Sequence, residues 1–120
     1  MLDTVAELHR LKKSDLTEIK ALNNPPRLLG TVMGALLTLL GKDDTSWKAV
    51  RKEMTDPKFV DKIVCLDKDR ISPKVLAKVR TIIRDTDPDF NYDKVKSVSA
   101  AGASIARHIL AIERYCTQIG

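Results

Sequence analysis

Residues 24–41 read NPPRLLGTVMGALLTLLG, and this stretch decides the fold. Asn24 suits a helix N-cap, and Pro25 and Pro26 suit a first helical turn, where a missing amide hydrogen costs little. From about residue 25 to 40 the segment is the most apolar in the chain. A helix this apolar has to be surrounded, so it is read as the central core helix. Gly41 is its natural stop, because glycine accepts the left-handed backbone of a helix C-terminus.

The flanking segments read as shorter amphipathic helices that wrap this one. Upstream, Leu2, Val5, Leu8 and Leu11 form a stripe that continues in Leu16, Ile19 and Leu22. The stripe loses phase at Lys12-Lys13-Ser14, where Ser14 is a candidate cap, so a short arm precedes a distinct helix. Downstream, Asp44, Thr45 or Ser46 caps a helix carrying Trp47, Val50 and Met54. Asp56-Pro57 opens the next, with Phe59, Val60, Ile63 and Val64 inward. Ser72-Pro73 opens another, with Val75, Leu76, Val79, Ile82 and Ile83 inward. Asp85 to Asn91 reads as a turn-rich loop. A last helix is expected over about 92–119, where Val95, Val98, Ala101, Ile105, Ile109, Ile112, Cys116 and Ile119 recur at helical spacing. From Ile105 this is a heptad seam. No alternating run of strand length occurs, so the class is all-α. The expected architecture is a compact bundle of about six short helices at the end of a short antiparallel coiled-coil stalk. Residues 1–11 and 105–120 would be the distal stalk strands and 12–104 the globule; both seams read as cut at the chain's ends.

With 120 residues the prior is one domain. Apolar residues make up 43% and charged residues 31%, an ordinary globular balance. No apolar run approaches the ~18 residues of a membrane span. MLDTVAEL lacks the basic and apolar segments of a secretory signal. Two cysteines do not make a disulfide scaffold, and a reduced intracellular compartment fits best. The net charge of +5 favours an acidic partner. At 4% aromatic residues, stacking platforms for single-stranded nucleic acid are scarce.

No phosphate-binding glycine loop is present, and His9 and His108 are isolated. No cofactor, no metal site and no enzymatic activity is expected of this chain. Cys65 and Cys116 read as buried packing thiols, and Trp47 as a core anchor. The small residues of Ser97–Ala106 read as a place where another helix packs closely. What remains is charge: Lys12, Lys13 and Lys20; then Lys48, Arg51 and Lys52, with Lys58 following; then Lys94 and Lys96 beside Asp93. Any one of these lysines is read first as a solvated side chain. A binding face requires several of them to share one side of the fold.

These segments together resemble the microtubule-binding domain at the tip of the dynein heavy chain stalk. The resemblance covers nearly the whole chain: LKKSDLTEIKAL at 11–22, NPPRLLGTVMGALLTLLG at 24–41, SWKAVRKEM at 46–54, DPKFVDKIVCLDKDRIS at 56–72 and DPDFNYDKVKSVSAAG at 87–102. DKDRIS and SAAG are closer to axonemal than to cytoplasmic members. The resemblance implies two coiled-coil strands and a six-helix globule. It implies that the first, third and sixth helices meet the microtubule at the groove between α- and β-tubulin. Here these would be about 11–22, 46–54 and 92 onward. The contacts implied are Lys12, Lys13 and Lys20, then Arg51, Lys52 and Lys58, then Asp93, Lys94 and Lys96. It implies partnership with the rest of a heavy chain through the stalk, an axonemal location, and a light chain as a further partner. Three positions depart from the family pattern: Asp56 and Ser97 stand where basic residues are common, and His108 where tryptophan is common. The long insertion that some axonemal members carry between the second and third helices is absent.

Two other classes fit the residues less well. A basic helical nucleic-acid-binding module lacks a dense Arg/Asn/Gln recognition face, and acidic residues are interspersed throughout. A helical adaptor would use the 97–106 run or the Ile105–Ile119 seam as its interface. Neither nucleic acid nor a membrane is an expected partner. If the chain is a stalk tip, arm 2–11 would slide against 105–119 and carry Lys12 and Lys13 with it.

Overall fold

The computed structural model describes residues 6, 8–66, 68–86 and 88–119, with the side chains of residues 13, 68 and 117–119 outside that description. Among the described residues there are seven α-helices and no strand. They are α1 (Lys13–Lys20), α2 (Arg27–Leu39), α3 (Trp47–Met54), α4 (Phe59–Val64), α5 (Pro73–Thr86), α6 (Tyr92–Lys96) and α7 (Ala100–Ile119), with a 3-10 turn at Lys68–Arg70. Of the apolar arm, Leu2 and Val5 lie outside the described residues, whereas Leu8 is fully buried in the common core.

α2 is the central helix, as its composition requires. Leu29, Val32, Met33, Ala35, Leu36, Leu37 and Leu39 are all buried, and α3, α5 and α7 pack against it. Its N-cap is Pro26, not Asn24. The second proline keeps the helix from starting earlier, because the residue before a proline is disfavoured in the helical region; Pro26 itself has φ -53° and ψ 144°. Its end is as expected. Gly41 has φ +80°, its amide donates to the Thr38 carbonyl at 3.0 Å, and the Lys42 amide donates to the Leu37 carbonyl at 3.0 Å. Both are the bonds of a Schellman closure.

Three other helix starts also follow the local chemistry. The Ser46 hydroxyl accepts from the Ala49 amide at 3.3 Å, the Asp56 carboxylate accepts from the Lys58 amide at 2.8 Å, and the Ser72 hydroxyl accepts from the Val75 amide at 3.2 Å, with Pro73 opening α5. The start of α1 differs from expectation. Lys12, not Ser14, is the cap residue, and the Asp15 carboxylate accepts the Lys12 amide at 2.9 Å. A carboxylate outcompetes a hydroxyl at a helix N-terminus, because the helix dipole favours negative charge there. α5 also runs further than expected, to Thr86.

The largest correction is at 92–119, which is two helices. Asn91 caps α6 by accepting from the Lys94 amide at 3.0 Å. The helix then breaks over 97–99, where the Ser97 hydroxyl donates to the Lys94 carbonyl at 2.6 Å and the Ser99 hydroxyl accepts from the Gly102 amide at 3.0 Å. Serines offer the backbone such alternatives to continued helix. Val98, expected inward, is therefore 38% exposed. Beyond the break the seam behaves as expected, with Ala101, Ile105, Ile109, Ile112 and Cys116 buried. The small-residue run does bring helices together: a Cβ on Gly102 would lie 2.7 Å from Leu29 Cδ1 of α2. Cys65 is exposed, contrary to expectation. Ile63 takes the inward position, and Cys65 falls on the outer side where α4 ends.

Candidate functional site

α1 buries one apolar residue, Ile19, in its last turn, with Leu16 and, just past its end, Leu22 half-buried beside it. That leaves Lys20 on the flank. α3 buries Val50 and Met54, and residues three and four apart on a helix share a face. Lys48, Arg51 and Lys52 are thereby set together on its exposed side. Trp47 joins the two helices. It is half-buried rather than central, and its indole Nε1 donates to the Leu22 carbonyl at 2.8 Å, just past the end of α1. This bond holds Lys20 against the α3 cations.

The result is a depression of about 240 Å³ lined by Lys20, Lys48, Arg51, Lys52 and Thr55. No carboxylate lines it. The nearby acids are engaged on another side: Lys62 Nζ lies 2.9 Å from Glu53 Oε1 and 2.8 Å from Asp56 Oδ2, and Lys42 Nζ lies 3.8 Å from Glu53 Oε2. Lys62 is the first cause that holds the Asp56 carboxyl below its ordinary range, followed by the Lys58 amide. Asp56 and then Glu53 raise Lys62. Because the Asp56 pKa is lowered on folding, this contact helps the fold at neutral pH, and its contribution is lost as acid titrates through the lowered value. Asp56 thus has a local task, closing the turn between α3 and α4, at a position where the resemblance suggested a cation.

The other predicted residues are distributed as follows. Lys12 is exposed at the start of α1, and Lys13 is the first residue of that helix. Lys96 lies across α1 from the depression, in a second groove of about 250 Å³ shared with Asp15, Glu18 and Val98. Its ammonium sits 5.6 Å from the centre of the Tyr92 ring. Asp93 and Lys94 are exposed on α6. Lys58 is exposed in the turn before α4 and does not line the depression. The structure therefore brings together Lys20, Arg51 and Lys52 with Lys48, which the charge reading grouped with them and the resemblance left out, and places Lys96 on the opposite flank of α1. Arg107, 3.7 Å from the Tyr92 ring centre, had no sequence signal at all. It comes from α7, and its pairing depends on the break at 97–99. No group of three or more His, Cys, Asp or Glu able to hold a metal occurs among the described residues. His108 is buried in α7.

A family model described as the microtubule-binding stalk of dynein motor matches residues 1–119. Human dynein axonemal heavy chain 14 is 35% identical over 111 residues, which are 92% of this chain and 3% of that protein. The cytoplasmic dynein heavy chain of Caenorhabditis elegans is 31% identical over 110 residues, 91% of this chain and 2% of that protein. The chain thus spans only a few hundredths of the length of these curated relatives. Among solved structures, the microtubule binding domain of dynein-c superposes with a TM-score of 0.83 at 29% identity, covering 97% of this chain and 82% of that one.

Proposed function

We propose, because this chain belongs to the family of microtubule-binding stalks of dynein motors, that the basic depression between α1 and α3 is its contact with tubulin. The chain is the microtubule-binding domain of a dynein heavy chain, and it works on the cytoskeleton. The observation that carries the finer reading is the convergence of Lys20, Lys48, Arg51 and Lys52 on one concavity without a carboxylate. Tubulin is acidic, so such a face is steered toward it and held by short-range pairs once docked. Lys12 and Lys13 at the head of α1, and Asp93, Lys94 and Lys96 on α6, extend the same contact toward the groove between α- and β-tubulin. Lys58 is at its edge.

Reversing two of the cations tests this. Lys20→Glu with Lys52→Glu is expected to lower microtubule affinity about thirtyfold at low salt, since each change removes an attraction and adds a repulsion. Both residues are polar and lie outside the core, so the circular dichroism melt should barely move. Co-sedimentation across a salt series reads the result. Wild-type pelleting by the double variant would exclude this face as the contact.

The domain itself carries no catalysis in this reading; ATP hydrolysis belongs to the rest of a heavy chain, reached through strands 1–11 and 105–120 around the globule 12–104. Leu8 is buried in one core with Ile105, Ile109 and Ile112, which suits an arm that packs on α7. A shift of that arm would move Lys12 and Lys13 at the start of α1, a two-state element biased from one end. Disulfides that lock the arm in each of two registers should yield two affinities, differing roughly tenfold for a coupling of ~1.4 kcal/mol. Equal affinities would remove register as the switch. An axonemal setting fits the axonemal relative, and a light-chain partner, implied by the resemblance alone, remains part of this proposal.

A further inference from the structure

A second basic concavity lies away from α1, between the end of α2, the 41–46 loop and α5. It has a volume of about 580 Å³, more than twice that of the α1–α3 depression. Lys42, Lys74 and Lys78 line it, with Asp43 the one acid, and Ala77 and Ile82 contribute its apolar floor. Lys74 and Lys78 are one helical turn apart on α5, both exposed, and neither forms an ion pair with the described residues. Like charges at that spacing repel, which costs the isolated helix a few tenths of a kcal/mol. An anion laid along α5 relieves that repulsion.

We propose that this groove binds an extended, glutamate-rich peptide, of the kind tubulin carries at its C-terminus. The charge is complementary: Lys74 and Lys78 are unpaired among the described residues, Lys42 is shared with Glu53 at 3.8 Å, and Asp43 is the one acid in the lining. The apolar floor accommodates the methylene groups of glutamate side chains while their carboxylates reach the rim. The groove is joined to the contact face by a short connection: Lys42 and Thr45 line the groove, and Lys48 of the depression follows within a few residues. A body docked on α1 and α3 therefore holds a flexible acidic segment within reach of α5. The source of the peptide rests on the microtubule reading; the groove's preference for acidic peptide does not.

The test uses microtubules with and without their acidic tails, the latter prepared by limited subtilisin digestion. Lys74→Glu with Lys78→Glu should weaken binding to intact microtubules about fivefold at low salt and leave binding to tail-free microtubules unchanged within twofold. An equal loss on both filaments, or no loss on either, overturns the proposal. A separate titration with a synthetic glutamate-rich peptide, followed by amide NMR shifts, decides the groove without any filament. Shifts over Lys74–Ile82 support it. Shifts confined to Lys20, Lys48 and Arg51, shifts reproduced equally by a short oligonucleotide, or no shifts overturn it. If the unmodified chain fails to pellet while the peptide still shifts α5, the microtubule reading fails and the groove stands.

Discussion

Gly102→Val should destabilise the domain by about 3 kcal/mol, equivalent to roughly 10 °C in thermal midpoint for a domain of this size. The cause is local. A Cβ at Gly102 would sit 2.7 Å from Leu29 Cδ1, and Leu29 is fully buried, so it has no open space to turn into. Valine adds two methyl groups with a nearly fixed χ1 in a helix. Gly102→Ala is the more searching variant. Alanine normally stabilises a helix interior by up to ~1 kcal/mol over glycine, yet here a net loss is expected. Combining Gly102→Val with Leu29→Ala should recover at least ~1 kcal/mol of the sum of the two single losses, because the two positions share one volume. Chemical denaturation of the four proteins measures this. If alanine stabilises the chain, close approach of Leu29 is not what holds position 102 to glycine.

Trp47→Ala should cost about 3 kcal/mol and should also lower microtubule affinity about tenfold. Half-buried indole surface is lost, which large-to-small changes in cores price at a few kcal/mol, and the Leu22 carbonyl loses its 2.8 Å donor. The affinity effect is distinct: without that bond the end of α1 is no longer fastened to α3, and Lys20 is not held beside Lys48, Arg51 and Lys52. Trp47→Phe separates the two losses. It keeps most of the apolar bulk and removes only the donor, for about 1 kcal/mol of stability. Hydrogen exchange of the α1 amides should nevertheless accelerate. Unchanged exchange and unchanged microtubule binding in Trp47→Phe would mean that packing alone positions α1.

The parts of the fold legible in the sequence were those where one residue type dominates the local physics. Gly41 ends α2 because of its backbone freedom, and Ser46 and Ser72 start helices because their hydroxyls reach the amides of Ala49 and Val75 in the first turn. The core face of α2 and the seam after Ile105 followed from period alone. The misreadings share a cause: apolar spacing says where a helix can be buried but not whether the backbone continues through it. Val98 kept the spacing while Ser97 and Ser99 drew the backbone away from it. Cys65 sat in an apolar run whose helix had already ended at Val64. For the site, charge along the chain named Lys20 and the cluster Lys48, Arg51 and Lys52, and only the Trp47–Leu22 bond brought Lys20 to that cluster. The groove at α5 was invisible in the sequence because Lys42 and Lys74 are far apart along the chain.

The crossing at Gly102 has a mechanical consequence. α7 extends from Ala100 to Ile119, and at ~1.5 Å per residue about 26 Å of it lies beyond Gly102 and only ~3 Å before it. That longer stretch does not swing freely: Glu113 accepts from Arg80 of α5 at 3.1 Å, and the Tyr115 hydroxyl donates to Asp69 at 2.7 Å. With the wedge against Leu29 at one end and these two clasps toward the other, α7 is held near both ends of its described length, so a displacement imposed on it passes to α2 and α5 together and is not absorbed by bending within the helix.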